Sequence, residues 1–326
     1  MSGKRLYVHI GVSKAGSSSI RSFLGANSRQ MAALGYHCQS SEFMASHAWL
    51  RQPIEATLPL EYASLFRRMA SWDAADDAAA YAADVEKFGR IEEPRIILTS
   101  QFFSMAPDPA RLLADAGRES GVAILVARAQ TTLVSALVRE LLRVSDVTLE
   151  QARRYAMGYD LDYRAITERW SALPGFERCR AVPCRRGDDV VRGFVASLDL
   201  DPSDPRWLYL DPANVSLPGS VVHYLYRRKG DVPPPNWGGI MQFFLAHPTI
   251  RRLPGADIIT PDQAEAVQRH YADSNAEFVA RYPHMAAPMA EQLVSRPYDH
   301  APEVDRYLDK IYAIAERAAA APGAGH

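Results

Sequence analysis

Cysteine is scarce in this chain, and an excess of charge of either sign is missing. Only Cys38, Cys179 and Cys184 occur in 326 residues. They are too few and too scattered for a disulfide framework or a zinc cluster, so buried or reduced thiols are expected. Lysine and arginine number 37 against 38 aspartates and glutamates, a net charge of −1. No bulk pull toward nucleic acid or an anionic membrane is expected, although a local basic cleft is compatible with that balance. Apolar runs stay well short of a membrane span. The N-terminus enters a strand directly, with no apolar segment of a secretory signal, and a cytoplasmic location is expected. No internal repeat is evident. What is present, 48% hydrophobic and 23% charged residues, is the composition of an ordinary globular protein.

The order of elements points to an α/β fold. LYVHI, PRIILTS (94–100) and VAILVA (122–127) are short continuous apolar runs, as expected of buried parallel strands. CRAVPC adds a short strand. TTLVSALVRELLR, DYRAITERW and GDDVVRGFVASLDL read as helices. The expected architecture is a three-layer parallel sheet with helices on both faces. One domain is expected over 1–320, followed by a disordered tail at 321–326. The segment 230–262 breaks the rhythm, because GDVPPPNWGG carries three prolines and a glycine pair and reads as an irregular insert.

The most informative stretch is HIGVSKAGSSSIRSFL (9–24). A strand ends near Ile10. A loop with Gly11, Lys14 and Gly16 follows. Ile20, Phe23, Leu24, Met31 and Leu34 then recur at helical spacing, with Gly35 as the stop. A helix N-terminus offers unpaired N–H groups and the positive end of its dipole, a natural seat for phosphate. Gly16 allows close backbone approach, Ser17, Ser18 and Ser19 add hydroxyls, and Lys14 adds a mobile charge. The ATPase pattern G-x-x-x-x-G-K-[ST] places lysine after the second glycine. Here Ser17 stands there and the lysine comes before it, so the loop is phosphate-binding in character without being that motif. Arg128 follows a buried strand directly, at the edge where parallel sheets bind ligands.

These residues resemble the superfamily of sulfotransferases that use 3′-phosphoadenosine 5′-phosphosulfate (PAPS), in its bacterial branch. VSKAGSSS is similar to the family's K-x-G-[ST]-[ST] loop, which holds the 5′-phosphosulfate. AILVARAQTTLVSALVRELL is similar to its strand–Arg–helix segment, which binds the 3′-phosphate through arginine and a helix serine. PRIILTSQFF, NVSLPGSV and YADSNAEFVARY are similar to further family segments, and the matches run in order along most of the chain.

The resemblance implies a P-loop-like sulfotransferase fold. It implies PAPS as co-substrate without a metal, and a small molecule or glycan as the acceptor. Lys14, Ala15, Gly16, Ser17, Ser18, Ser19 and Arg128 would hold the nucleotide. Ser135 stands one residue early for the family's helix serine, so either it or Thr132 would supply that hydroxyl. Gln101 occupies the place of the family's acid and cannot take a proton, which leaves His47 and Glu42 as candidate bases. YRRKGD (226–231) is similar to a phosphate-binding element of the cytosolic branch, but in this setting a solvated charge run is the preferred reading. A nucleotide or small-molecule kinase, or a sulfonucleotide-binding protein without turnover, are the alternatives.

Overall fold

The structure, a computed structural model, describes residues 4–38, 85–100, 103–105, 111–144, 147–185, 189–210, 217–229, 237–253, 257–291 and 302–320. Its centre is a five-stranded, all-parallel sheet: β1 (Arg5–His9), β2 (Tyr36–Cys38), β3 (Arg95–Thr99), β4 (Ser120–Ala127) and β5 (Arg180–Pro183), in spatial order β2-β3-β1-β4-β5. β1 is therefore central. It pairs His9 with Thr99 of β3 and with Ile124 of β4. Leu6, Val8, Ile96, Leu98 and Ala123 to Ala127 are fully or almost fully buried, which is why these strands read as unbroken apolar runs.

Helices α1 (Ser17–Ala26) and α2 (Ser28–Ala33) follow β1, and α3 (Arg111–Asp115) precedes β4. After β4 come α4 (Gln130–Val144), α5 (Leu149–Met157) and α6 (Tyr163–Ser171). After β5 comes α7 (Val190–Ser197). Parallel register puts His9, Ile124 and Val182 on one face. There α7 packs, its Phe194 ring 5.7 Å from His9 and its Gly193 close against Val182. Gly121 pairs with Leu6 and lies on the opposite face, where a Cβ would meet Phe176 at 2.6 Å. Phe176 in turn packs edge-on against Trp170 of α6 at 5.3 Å. The sheet thus has helices on both faces, the α/β architecture expected.

The helix expected to continue from Ile20 to Leu34 is divided at Asn27. That side chain is fully buried, donates to the carbonyls of Phe23 and Leu208 at 2.9 Å, and accepts the Leu208 N–H at 2.8 Å. It grips residues 207–209 alongside α1, where Trp207 and Tyr209 both pack on Phe23.

The chain divides into two units. The first, residues 1–133, 160–213 and 270–291, holds the sheet. The second, 134–159, 214–269 and 292–326, is helical in its described residues. It contains α5, α8 (Gly219–Lys229), α9 (Trp237–Ala246) and α12 (Pro302–Ala320). Between them in sequence come α10 (Pro261–Arg281) and α11 (Ala286–Met289). Within the segment 230–262, expected to be an irregular insert, the whole of α9 (Trp237–Ala246) is helical, opened by Trp237, Gly238 and Gly239, and a 3-10 turn follows at Ile250–Arg252. A Cβ on Gly239 would lie 2.8 Å from the Ala319 side chain of α12, so this glycine serves close helix packing rather than a turn. The three cysteines form no disulfide.

Candidate functional site

The C-terminal ends of β1 and β4 carry the candidate site. Beyond β1 the chain keeps its hold on β4, with Ile10 and Val12 N–H donating to Ile124 and Val126 carbonyls and Val126 N–H donating to Gly11. It then turns sharply. Lys14 has φ 63°, a left-handed conformation that costs a non-glycine residue about 1–2 kcal/mol. Gly16 has φ 87° and stands as N-cap of α1 with no side chain capping the helix. A Cβ there would come within 2.8 Å of Val190 Cγ1, so both the backbone angle and the packing require glycine. The N–H groups of Ser17, Ser18 and Ser19 form the first turn of α1, where no intrahelical carbonyl is available to them. The first turn holds no acidic residue to occupy the dipole. Ser17 is buried and its hydroxyl reaches back to the Val12 carbonyl at 3.5 Å, while Ser18 and Ser19 are half-buried.

Arg128 is joined to this loop. Its Nη1 donates to the Lys14 carbonyl at 3.4 Å and its Nε to Thr132 Oγ1 at 2.8 Å. The Thr132 hydroxyl in turn donates a hydrogen bond to the Ala129 carbonyl at 2.8 Å. A guanidinium has five N–H bonds. With Nε and one Nη1 bond used, the Nη1/Nη2 end keeps a fork for an anion among the described residues. Both partners are neutral oxygens, so the arginine's charge is held in place without being cancelled by them. The Arg128 carbonyl accepts from the Tyr163 hydroxyl at 2.7 Å. That phenol is buried, and burial raises its pKa well above the ordinary value. Nothing local in the sequence marks Tyr163, 35 residues away.

Beneath the loop lies His9, fully buried on the central strand. Its Nδ1 is hydrogen-bonded to Thr99 Oγ1 at 2.7 Å, and its Nε2 has no partner among the described residues. Burial, with a smaller contribution from the Arg21 cation, lowers its pKa to about 3, so the ring is neutral.

The structure thus brings Lys14, Ala15, Gly16, Ser17, Ser18, Ser19 and Arg128 to one end of the sheet. Ser135 falls in the second unit; it is buried on α4, and its hydroxyl has no partner among the described residues. Thr132, the other candidate hydroxyl, is committed to Arg128. His47, Glu42 and Gln101 lie outside the described residues. In YRRKGD, Arg227 pairs with Asp305, Arg228 pairs with Asp309, and Lys229 is buried. A separate open groove of 530 Å³ runs along β5. Its polar side chains are already engaged: Arg178 with the Arg281 carbonyl and the Tyr282 ring, Arg180 with Asp199 and Glu177, and His284 with the Ala181 carbonyl. Among the described residues no cluster of His, Cys, Asp and Glu could hold a metal, and no helix is long and apolar enough to cross a membrane.

No protein-family model and no curated protein matches the chain. Among solved structures it is similar to a sulfotransferase from Alicyclobacillus acidocaldarius, with 15% identity, 84% of this chain and 94% of that one covered, and a TM-score of 0.45. It is also similar to a gluconokinase from Sinorhizobium meliloti 1021, with 16% identity, 60% and 92% covered, and a TM-score of 0.27. Neither likeness is close enough to decide an activity.

Proposed function

We propose that the protein is a sulfotransferase that moves a sulfuryl group from PAPS to a hydroxyl or amine of a small molecule or glycan. The observation that carries this reading is the hydrogen bond from Arg128 to the Lys14 carbonyl. It makes the anion-accepting loop and a cationic fork parts of one site, as a nucleotide with phosphates at both 5′ and 3′ positions requires. The placement of Lys14 ahead of Gly16, rather than after it, favours a phosphosulfate over a triphosphate.

In the proposed reaction the acceptor oxygen or nitrogen attacks sulfur, and the bond from sulfur to the 5′-phosphate oxygen breaks. The products are the sulfated acceptor and adenosine 3′,5′-bisphosphate. Negative charge grows on the leaving oxygen, and Lys14 with the first N–H groups of α1 supplies the matching donors. The Arg128 fork takes the 3′-phosphate. The acceptor's proton passes to a base, for which His47 and Glu42 remain the candidates.

Calorimetric titration tests this reading. Adenosine 3′,5′-bisphosphate is expected to bind much more tightly than ATP, and without magnesium. Arg128→Ala is expected to weaken the bisphosphate at least about tenfold while hardly changing adenosine 5′-monophosphate, since a hydrogen bond to a charged group is worth about 1.5–3 kcal/mol. Magnesium-dependent ATP binding that outcompetes the bisphosphate would instead establish the kinase alternative.

A further inference from the structure

Tyr271 and Asn275, the Y and N of YADSN, stand four residues apart on α10 and therefore on one face of it. The Tyr271 hydroxyl accepts the Leu161 N–H at 3.1 Å. The Asn275 amide exchanges two hydrogen bonds with the amide of Gln130, 2.7 Å from Gln130 Nε2 to Asn275 Oδ1 and 3.0 Å from Asn275 Nδ2 to Gln130 Oε1. Gln130 Nε2 also donates to the Leu161 carbonyl at 3.3 Å. Both backbone groups of Leu161 are thus held by side chains, one from α10 and one from α4.

The consequence falls on Arg128. Gln130 is buried and stands two residues after it. Leu161 stands two residues before Tyr163, whose hydroxyl donates to the Arg128 carbonyl. The turn that carries Arg128 is therefore tied to α10 on both sides, through Gln130 directly and through Leu161 and Tyr163. A reciprocal amide pair is directional and cannot slide without losing both bonds. An arginine whose backbone is fixed in this way loses less conformational freedom on meeting its ligand.

We propose that Tyr271 and Asn275 are positioning residues for Arg128, and that through it they set the preference for a nucleotide bearing a 3′-phosphate. The inference rests on the nucleotide reading above. The test measures Kd for adenosine 3′,5′-bisphosphate and adenosine 5′-monophosphate, and takes their ratio, in the parent, Arg128→Ala, Asn275→Ala and the combined variant. Asn275→Ala should reduce the ratio about fivefold, the scale of one net hydrogen bond, and leave the monophosphate unchanged. Added to Arg128→Ala it should change nothing further. The swapped pair Gln130→Asn with Asn275→Gln keeps the two amides and should recover most of the ratio, which separates positioning from a general loss of fold. Equal weakening of both nucleotides by Asn275→Ala, or a full further loss in the combined variant, would overturn the inference while leaving the nucleotide reading intact. If Arg128→Ala itself leaves the ratio unchanged, the nucleotide reading fails first.

Discussion

Arg128 and Arg228 occupy opposite situations. Arg128 bonds only to neutral oxygens, the Thr132 hydroxyl and the Lys14 carbonyl, and among the described residues no carboxylate pairs with it. Arg228, on α8, donates to the Asp309 carboxylate and to the Tyr224 hydroxyl, and its neighbour Arg227 meets both oxygens of Asp305 at 2.8 Å. The RRK run is the denser cluster of charge in the sequence. Yet its arginines are matched by acids from α12, whereas the loop at 11–17 carries one lysine and, on the proposed reading, would bind through backbone geometry. On the proposed reading, the number of cations along a sequence is a poor guide to an anion site, because the fold pairs Arg227 and Arg228 with carboxylates and Arg128 with neutral oxygens.

The largest effect is expected of Lys14→Ala, in the loop that Arg128 joins. If Lys14 acts on the leaving oxygen, its contribution is made mainly in the transition state. Turnover in radiolabelled sulfonate transfer from PAPS should fall about 10²- to 10³-fold, the scale for removing one such donor. Binding of adenosine 3′,5′-bisphosphate should fall far less. Loss of turnover and binding in equal measure would reduce Lys14 to a ground-state contact. Arg228→Ala, the matched cation from the other region, should leave both quantities as they are.

The two regions should also answer acid differently. His9 is buried neutral, with a pKa lowered from 6.5 to about 3. The unfolded chain therefore binds a proton below pH 6.5 that the folded chain refuses, and stability falls as pH drops through that window toward 3. Between pH 7 and pH 5 the His9 contribution should decline by about 2 kcal/mol. Urea unfolding midpoints should show this decline in the parent and a flatter profile in His9→Gln. Identical slopes in the two proteins would mean that the ring gains access to solvent or to a partner on protonation.

What could be read from the sequence was whatever depends on local pattern. Continuous apolar runs gave β1, β3 and β4, and the glycines, serines and lysine of 11–19 gave a loop between strand and helix. The missed features depend on distant partners. β2 is only three residues long. The break at Asn27 exists because its amide grips Leu208, 181 residues on. Trp237 to Gly239 are helical because Gly239 admits Ala319, although the prolines before them point to a loop. Tyr163 and Gln130 act on Arg128 and its turn through bonds that no periodicity records, and YADSN carried no chemistry of its own until α10 placed Tyr271 and Asn275 against Leu161 and Gln130.

The smallest effect is expected at Asp309, and its smallness is the point. Hydrogen bonds from Tyr224 and Arg228 hold its carboxyl below the ordinary value. A carboxylate depressed in this way adds stability that is fully present above its unfolded pKa, near 3.8, and is lost only as pH falls below that. The Arg228 and Asp309 side chains are 48% and 45% exposed, so solvent screens the pair and the whole contribution should stay below about 1 kcal/mol. Asp309→Asn should therefore shift the urea midpoint slightly at pH 7. It should leave the change between pH 7 and pH 5 equal to the parent's, in contrast to His9→Gln. Nucleotide titration should give unchanged affinity for adenosine 3′,5′-bisphosphate. An increase in that affinity when Asp309 is neutralised would show that Arg228 was being withheld from a phosphate by its carboxylate. The contrast between matched and unmatched arginines would then be a difference of degree.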